Sequence, residues 1–433
     1  MNNGEYIRIH KPKVEKDNLV TYQITYPKSL RRYFSLNEFY IKYDTLIGEV
    51  PNDILAIPCL GSIITTAWAL GSNVYVDSID EDYLHSLNKI KSVFNRMYPG
   101  IDFKGEIYAN RVISNKFVNN RLGILFSGGL DSTSLYIQNR SKKPDLFTII
   151  GGIIPSDSHR FIRKMKNVYE KFAQREKINL SFIESNVRIL LNEALLSVMF
   201  AKKIYFRPWW EMINHGIIQL SLCAPVTVRK IASMKIALTA PFLRNYGADA
   251  RIVGNLRWAG IDVAPDGYEY NRQEKIRFIL KEFVKSHYHP KLQVCLYAPS
   301  VSDHLNCGYC DKCSQTIIGL IVEGIDPRKC GFRVHDDFFE HARKRVIPTS
   351  KTFKWERIQK HMPDNINYYS LSYGDFFDWF KNYDYGEQIK EPHIKSIINN
   401  MVSHIHARLP RRGKNIIMKF FYRARKKKHW LRP

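Results

Sequence analysis

The chain reads as an α/β protein built on a parallel sheet, with a small α+β segment before it and a helical, basic extension after it. Three observations predict this class. From Arg121 onward, short apolar runs alternate with longer stretches whose apolar positions fall at helical spacing, the βα pattern of a parallel sheet. The first strand passes into its helix through a glycine pair, "LGILFSGGLDSTSLYIQNR". A length of 433 residues also exceeds what one hydrophobic core usually covers, so more than one unit is expected.

To residue 118 the chain mixes strand-like runs with "EDYLHSLNKIKSVFNRMYP", whose apolar residues share one helical face. This reads as an N-terminal α+β domain, 1–118, linked by "VISNKFVNN" to a central domain, 119–335, and it contains no evident catalytic constellation. Within the central domain "LGILFS", "DLFTIIGG", "NLSFIES", "SMKIALTAPF" and "ARIVGN" read as strands. The stretches "DSTSLYIQNR", "HRFIRKMKNVYEKFAQREK", "VRILLNEALLSVMFAKKI", "WEMINHGIIQLSLCA" and the amphipathic "NRQEKIRFILKEFVKS" read as helices. Ligands of such a sheet sit at the carboxyl ends of its strands. Residues 336–433 read as a peripheral helical extension with a basic tail.

The formal net charge of +25 favours acidic partners, and "RLPRRGKNIIMKFFYRARKKKHWLRP" carries no acidic residue. That tail is expected to be solvated or to contact nucleic acid or another acidic partner. No apolar run is long enough to span a bilayer, and "MNNGEYIRIHKPKVEKDN" lacks the apolar core of a signal peptide, so the expectation is a cytoplasmic protein without a transmembrane segment. Whether the chain forms a homodimer is left open.

A glycine turn between strand and helix lets backbone approach a phosphate, and the helix start offers unpaired N–H groups. Ser127 and Ser132 can add hydroxyl donors. Asp131 would repel a phosphate unless a cation intervenes, and a Mg²⁺ shared by carboxylate and phosphate resolves the conflict. The stretch is neither a Walker A loop nor Gly-x-Gly-x-x-Gly.

Ser127-Gly128-Gly129-Leu130-Asp131-Ser132 resembles the Ser-Gly-Gly-x-Asp-Ser signature of the PP-loop, the pyrophosphate-binding loop of N-type ATP pyrophosphatases. The resemblance implies an adenine nucleotide alpha hydrolase-like fold and an enzyme that splits ATP between the α and β phosphates, transfers AMP to a substrate oxygen and releases pyrophosphate. It implies that Ser127, Gly128, Gly129, Leu130, Asp131, Ser132 and Thr133 hold the pyrophosphate and its Mg²⁺. Adenine recognition is expected from "IIGGIIPSDSHR", with no single residue assigned. Arg207 and Asn214, in "FRPWWEMINHG", lie where 7-cyano-7-deazaguanine synthases carry a Pro-x-Arg-Asn segment near substrate, though the match is poor.

"CLYAPSVSDHLNCGYCDKC" sets Cys295 ahead of Cys307, Cys310 and Cys313. Two successive Cys-x-x-Cys steps put three thiolates on one loop, and a fourth from a neighbouring segment closes a tetrahedral Zn²⁺ site. Cys295 is the expected fourth ligand, with Cys330 as its rival, and an iron–sulfur cluster is the alternative occupant. Four thiolates leave no open position, so the metal is expected to be structural. The triplet resembles that of the deazaguanine synthases. Cys59 and Cys223 lie in apolar contexts and read as core.

"GNLRWAGIDVAPDGYEYNRQEK" follows a predicted strand and so belongs at the ligand edge. Asp262, Asp266, Glu269, Arg272 and Lys275 are its candidates, with Arg272 or Lys275 neutralising charge at the α-phosphate. Asp131, Ser132, Arg272 and Lys275 are the catalytic set. Trp209, Trp210 and Glu211 read as a base platform or as core.

These readings lead to an ATP-dependent, ligase-type enzyme that adenylates a carboxylate or amide-type oxygen of a small-molecule or peptide substrate, using ATP, Mg²⁺ and Zn²⁺. The alternatives are carboxylate activation like that of muramoyl-peptide glutamate epimerase, whose Cys-Gly-x-Cys-x-Lys-Cys pattern "CGYCDKC" also resembles, a tRNA-modifying PP-loop enzyme, and a nucleotide-binding scaffold without catalysis.

Overall fold

A computed structural model describes residues 6–239, 245–298, 304–346, 352–363 and 374–385. The region 386–433, and with it the basic tail, lies outside the described residues.

Among the described residues the chain is a mixed α/β fold on one twelve-stranded sheet. The N-terminal segment supplies β1 (Tyr6–Ile9), β2 (Lys13–Glu15), β3 (Leu19–Thr25), β4 (Glu38–Tyr43), β5 (Asn73–Asp80) and β6 (Ile107–Ile113). The rest supplies β7 (Arg121–Leu125), β8 (Asp145–Ile150), β9 (Leu180–Ser185), β10 (Ile231–Ala237), β11 (Arg257–Trp258) and β12 (Ile261–Asp266). Their order is β11-β12-β10-β7-β8-β9-β4-β3-β1-β5-β6, with β2 pairing off β3. The run β12-β10-β7-β8-β9 is parallel, as the βα alternation requires. Antiparallel pairing of β4 with β9, Ile41 opposite Ser185, joins the N-terminal strands to it.

Helix α1 (Asn52–Ala69) is apolar around its whole circumference and buried from Asp53 to Trp68, the pattern of a helix covered on all sides. It packs on the helix His215–Thr227, which is also apolar and buried. Gly61 permits this, because a Cβ there would overlap the Ser221 side chain. Helix α2 (Glu81–Met97) starts where Asp80 accepts the Tyr83 N–H at 3.0 Å, and buries one face.

Two expected elements differ. "ARIVGN" is not a strand: Asp249 caps a short helix, α3 (Ala250–Val253), by accepting the Arg251 N–H at 2.9 Å, and Gly254 ends it. The strand lies further on, in β12, which pairs back on β11 through a turn in which Ala259 and Gly260 both have positive φ. "VRILLNEALLSVMFAKKI" is interrupted, because Asn192 accepts the Leu195 N–H at 3.1 Å and restarts the chain as a seven-residue helix, Glu193–Met199.

Among the described residues, no helix is long and apolar enough to cross a membrane.

Candidate functional site

The chain leaves β7 for β8 and β9 on one side and reaches β10 and β12 on the other. The carboxyl end of β7 is therefore the point where the winding reverses, the place at which open parallel sheets bind ligands. The glycine pair occupies it.

After Leu125 the backbone turns at Gly128, whose φ is +65°, and enters the helix Leu130–Asn139. A side chain at Gly128 would be strained by that φ and would run into the Tyr169 phenol. Tyr169 donates its hydroxyl to the Ser127 carbonyl at 2.6 Å. Ser132 accepts the Ser127 N–H at 3.2 Å and lies 3.2 Å from the Ser127 hydroxyl. Ser127 is exposed, whereas Leu130, Ser132 and Thr133 are buried beneath the turn. The N-cap, Gly129, makes no side-chain cap hydrogen bond to the first turn of the helix.

Asp131, in that first turn, meets two cations. Arg272 Nη1 donates to its Oδ2 at 2.9 Å, and Lys275 Nζ donates to its Oδ1 at 2.9 Å. Thr239, from the segment after β10, donates its hydroxyl to Oδ1 at 2.8 Å. Burial opposes ionisation of Asp131, but the Arg272 and Lys275 charges with these hydrogen bonds outweigh it and hold the carboxyl well below the usual carboxylate range. The Lys275 ammonium is buried and also donates to the Leu238 carbonyl. Asn271 positions both cations: its side chain and that of Glu274 form a reciprocal cap that starts the helical run Arg272–Glu274, continuing through Lys275–Leu280 to Lys281–Ser286. All four catalytic candidates, Asp131, Ser132, Arg272 and Lys275, thus stand on or beside one turn.

Other candidates of the same stretch stand elsewhere. Asp262 pairs with Arg257 at 3.2 Å on the surface, Asp266 pairs with Lys235, and Glu269 accepts from Gln138 at 3.3 Å. Trp209 is buried and donates its indole N–H to Thr66 at 3.2 Å, which makes it core. Trp210 is buried under Arg188, whose guanidinium lies 4.1 Å from the ring centroid. Asn214 faces α1, accepting the Thr65 hydroxyl at 2.6 Å, and Arg207 pairs with Glu211.

The thiols of Cys295, Cys307, Cys310 and Cys313 all lie within 4.8 Å of one another. Cys307 to Cys313 is 3.9 Å and Cys310 to Cys295 is 3.8 Å between sulfurs. A tetrahedral Zn²⁺ with Zn–S bonds of about 2.3 Å sets its ligands about 3.8 Å apart. Cys295 is therefore the fourth member of the cluster and Cys330 is not. Burial pushes the Cys330 thiol up to about 12, so it stays protonated. Cys59 and Cys223 are buried in the core. Backbone N–H groups support two of the sulfurs: Cys310 to Cys307 at 3.3 Å and Ala298 to Cys295 at 3.2 Å. Asn306 accepts the N–H groups of Val294 and Cys295 at 2.9 and 3.3 Å and donates to Leu292 at 2.7 Å.

The cluster and the turn are one structure. Gln293 donates its N–H to the Gly128 carbonyl at 2.7 Å. Cys310 caps the helix Asp311–Val322, on which Thr316 accepts from Arg272 Nη2 at 3.1 Å. Lys312 stands on the same first turn and is exposed. His215 belongs to this surround: burial, then the Lys312 and Arg188 charges, lower its pKa to about 3, and its Nδ1 lies 3.1 Å from the Tyr246 hydroxyl.

Sequence reasoning did not find Thr239, Thr316, Tyr169 or Gln293, since a lone Thr, Tyr or Gln carries no spacing signal. Lys312 had one, its place inside the second Cys-x-x-Cys step. The arrangement has the chemistry to receive a polyanion: a helix start without a side-chain cap, the cations Arg272, Lys275 and Lys312 near it, and one ionised carboxylate. No protein-family model matches this chain, and no curated protein or solved structure matches it.

Proposed function

We propose that the chain is an ATP pyrophosphatase of the adenylating kind, transferring AMP from Mg·ATP to a carboxylate or amide-type oxygen of a small-molecule or peptide substrate. The observation that carries this reading is the meeting of Asp131, Arg272 and Lys275 over the Ser127–Ser132 turn at the reversal point of the sheet. A phosphate site alone would need only the N–H groups and the cations. The ionised Asp131 among them is what a shared Mg²⁺ explains.

In this reading the backbone N–H groups after Gly129 and the hydroxyls of Ser127 and Ser132 hold the β and γ phosphates. Asp131 would hold Mg²⁺, which supplies charge neutralisation when bound. Lys275 has three N–H donors and two protein acceptors, Asp131 and Leu238, which leaves one N–H for a phosphate oxygen. Arg272 likewise divides its two terminal nitrogens between Asp131 and Thr316 and retains donors on both. These groups hold the α-phosphorus against the substrate oxygen and offset the charge that develops as the oxygen attacks and pyrophosphate departs with the bonding pair. A nucleophile then displaces AMP from the adenylate. The four cysteines would hold Zn²⁺ as a closed structural centre that fixes Gly128 from one side and Arg272 from the other.

The test is incubation of the full chain with Mg·ATP and a panel of carboxylates, resolving nucleotide products. AMP and pyrophosphate in equal amounts are expected, dependent on one acceptor and lost in Asp131→Asn. ADP and phosphate as the products would overturn the reading.

A further inference from the structure

Beside Arg272 lies a small cavity of about 30 Å³ that Asp131 does not line. Its walls include Thr239, Arg272, Gln315 and Thr316, and the helix Thr352–Gln359 closes it with Lys354 and Arg357. Lys354, Arg357 and Arg272, the last already paired with Asp131, line it, and among the described residues no Asp or Glu does. Such one-sided charge in a confined space favours an anion. A second, independent feature points the same way. Gln315 is 6% exposed, yet its Nε2 has no hydrogen-bond partner among the described residues. A buried amide donor without an acceptor is one that a ligand oxygen would satisfy.

The size limits the occupant. One water needs roughly 10–15 Å³ measured this way, so the cavity admits a planar carboxylate and excludes a triphosphate. Its wall is also continuous with the turn, because Thr239 and Arg272, which line it, both bond Asp131.

We propose that this cavity is an anion subsite that receives the carboxylate of the acceptor, with Arg272 standing between it and Asp131. The proposal rests on the adenylating reading above and adds to it that the acceptor enters charged, against Arg357. The C-terminal extension, expected to be peripheral, then contributes to substrate recognition. Trp355 and Ile358 anchor that helix in the core, so Arg357 is presented from a fixed support. An acceptor esterified at this carboxylate loses its partner cations and leaves the Gln315 amide unsatisfied, which makes the subsite selective for the free acid.

The probe is ¹³C-formate, titrated into the full-length zinc-loaded chain at constant ionic strength, with line broadening as the readout. Saturable broadening is expected in the wild type, weakened at least tenfold in Arg357→Met, weakened several-fold in Gln315→Leu, and largely retained in Arg357→Lys. Excess Mg·pyrophosphate should leave it in place. Absence of saturable broadening in the wild type, or equal broadening in Arg357→Met and Gln315→Leu, overturns the subsite. Displacement by Mg·pyrophosphate, or tighter competition by orthophosphate than by formate, assigns the anion to the nucleotide and overturns the carboxylate assignment. Binding of Mg·ATP by Arg357→Met is measured in parallel. Its retention beside lost formate binding is the expected pattern, whereas loss of both overturns a subsite separate from the nucleotide. The adenylating reading fails on a different measurement, formation of ADP, so the two failures are distinguishable.

Discussion

Gln293 donates its backbone N–H to the carbonyl of Gly128 at 2.7 Å, which ties the segment entering the cysteine cluster to the glycine turn. The Gln293 side chain reinforces the tie, donating to the Cys295 carbonyl at 2.9 Å. The cysteine cluster and the glycine turn are therefore tied together through two residues of chain.

This coupling sets the first prediction. Cys310→Ser should remove bound zinc, lower the thermal midpoint and abolish Mg·ATP binding, because both Gly128 and the start of the helix bearing Thr316 lose their anchor. Cys330→Ser should retain one zinc per chain, since Cys330 lies outside the cluster. Metal analysis of the two purified variants checks the pair of outcomes, and loss of zinc from Cys330→Ser would reassign the fourth ligand.

Neighbouring glycines should respond differently. Gly128→Ala combines a φ of +65° with a clash on Tyr169, and should destabilise by about 1–3 kcal/mol while disrupting the turn. Gly129 has φ −75°, and a Cβ there would meet Ser127 Oγ at 3.4 Å and Gln293 O at 3.5 Å, ordinary contacts. Gly129→Ala should therefore cost no more than about 1 kcal/mol. Urea unfolding of both variants measures the contrast.

The turn, its strand and helix and the cysteine triplet could be read from sequence because each has a local signal: a glycine pair, a change of period, a fixed Cys spacing. Arg272 and Lys275 could be singled out because they follow a strand, although the strand was placed too early. What local pattern could not supply is pairing. Nothing in "EFYIKY" says that β4 meets β9, and nothing at Thr239 or Arg357 announces Asp131 or Arg272 as neighbours. "ARIVGN" misled because β-branched residues favour strands, while the Asp249 cap and Gly254 decided for a helix. Cys295 is the fourth cysteine that the spacing favours over Cys330, and the distances between sulfurs agree.

Asp131 and Lys275 make a partly buried pair, with side-chain exposures of 28% and 1%. Asp131→Asn takes from the buried Lys275 ammonium its carboxylate partner, and should cost up to about 3 kcal/mol, reduced by the access of water to Asp131. Lys275→Met in that background should recover part of the loss. The folded carboxyl titrates below its unfolded value of about 3.9, so the pair's contribution is complete above that pH and disappears as pH falls toward the folded pKa. The stability difference between wild type and Asp131→Asn should accordingly be constant from pH 8 to about 5 and shrink below about 4.

His215 works in the opposite sense. Burial first, then the Lys312 and Arg188 charges, lower its pKa to about 3, so the folded chain holds it neutral where the unfolded chain, with a pKa of about 6.5, takes up a proton. The unfolded state then binds more protons, and stability must fall as pH drops below about 6.5. Between pH 7 and pH 5 the fall from this one residue is about 2 kcal/mol, because the unfolded imidazole becomes almost fully charged while the folded one does not. His215→Gln removes the titration and keeps a polar group facing Tyr246, so its stability should decline less over that interval by about the same amount. Guanidinium unfolding at the two pH values, wild type against variant, measures the difference directly. Parallel curves would mean that His215 is protonated in the folded chain at pH 5, and with it that the imidazole beside Tyr246 is more open to water than its packing implies.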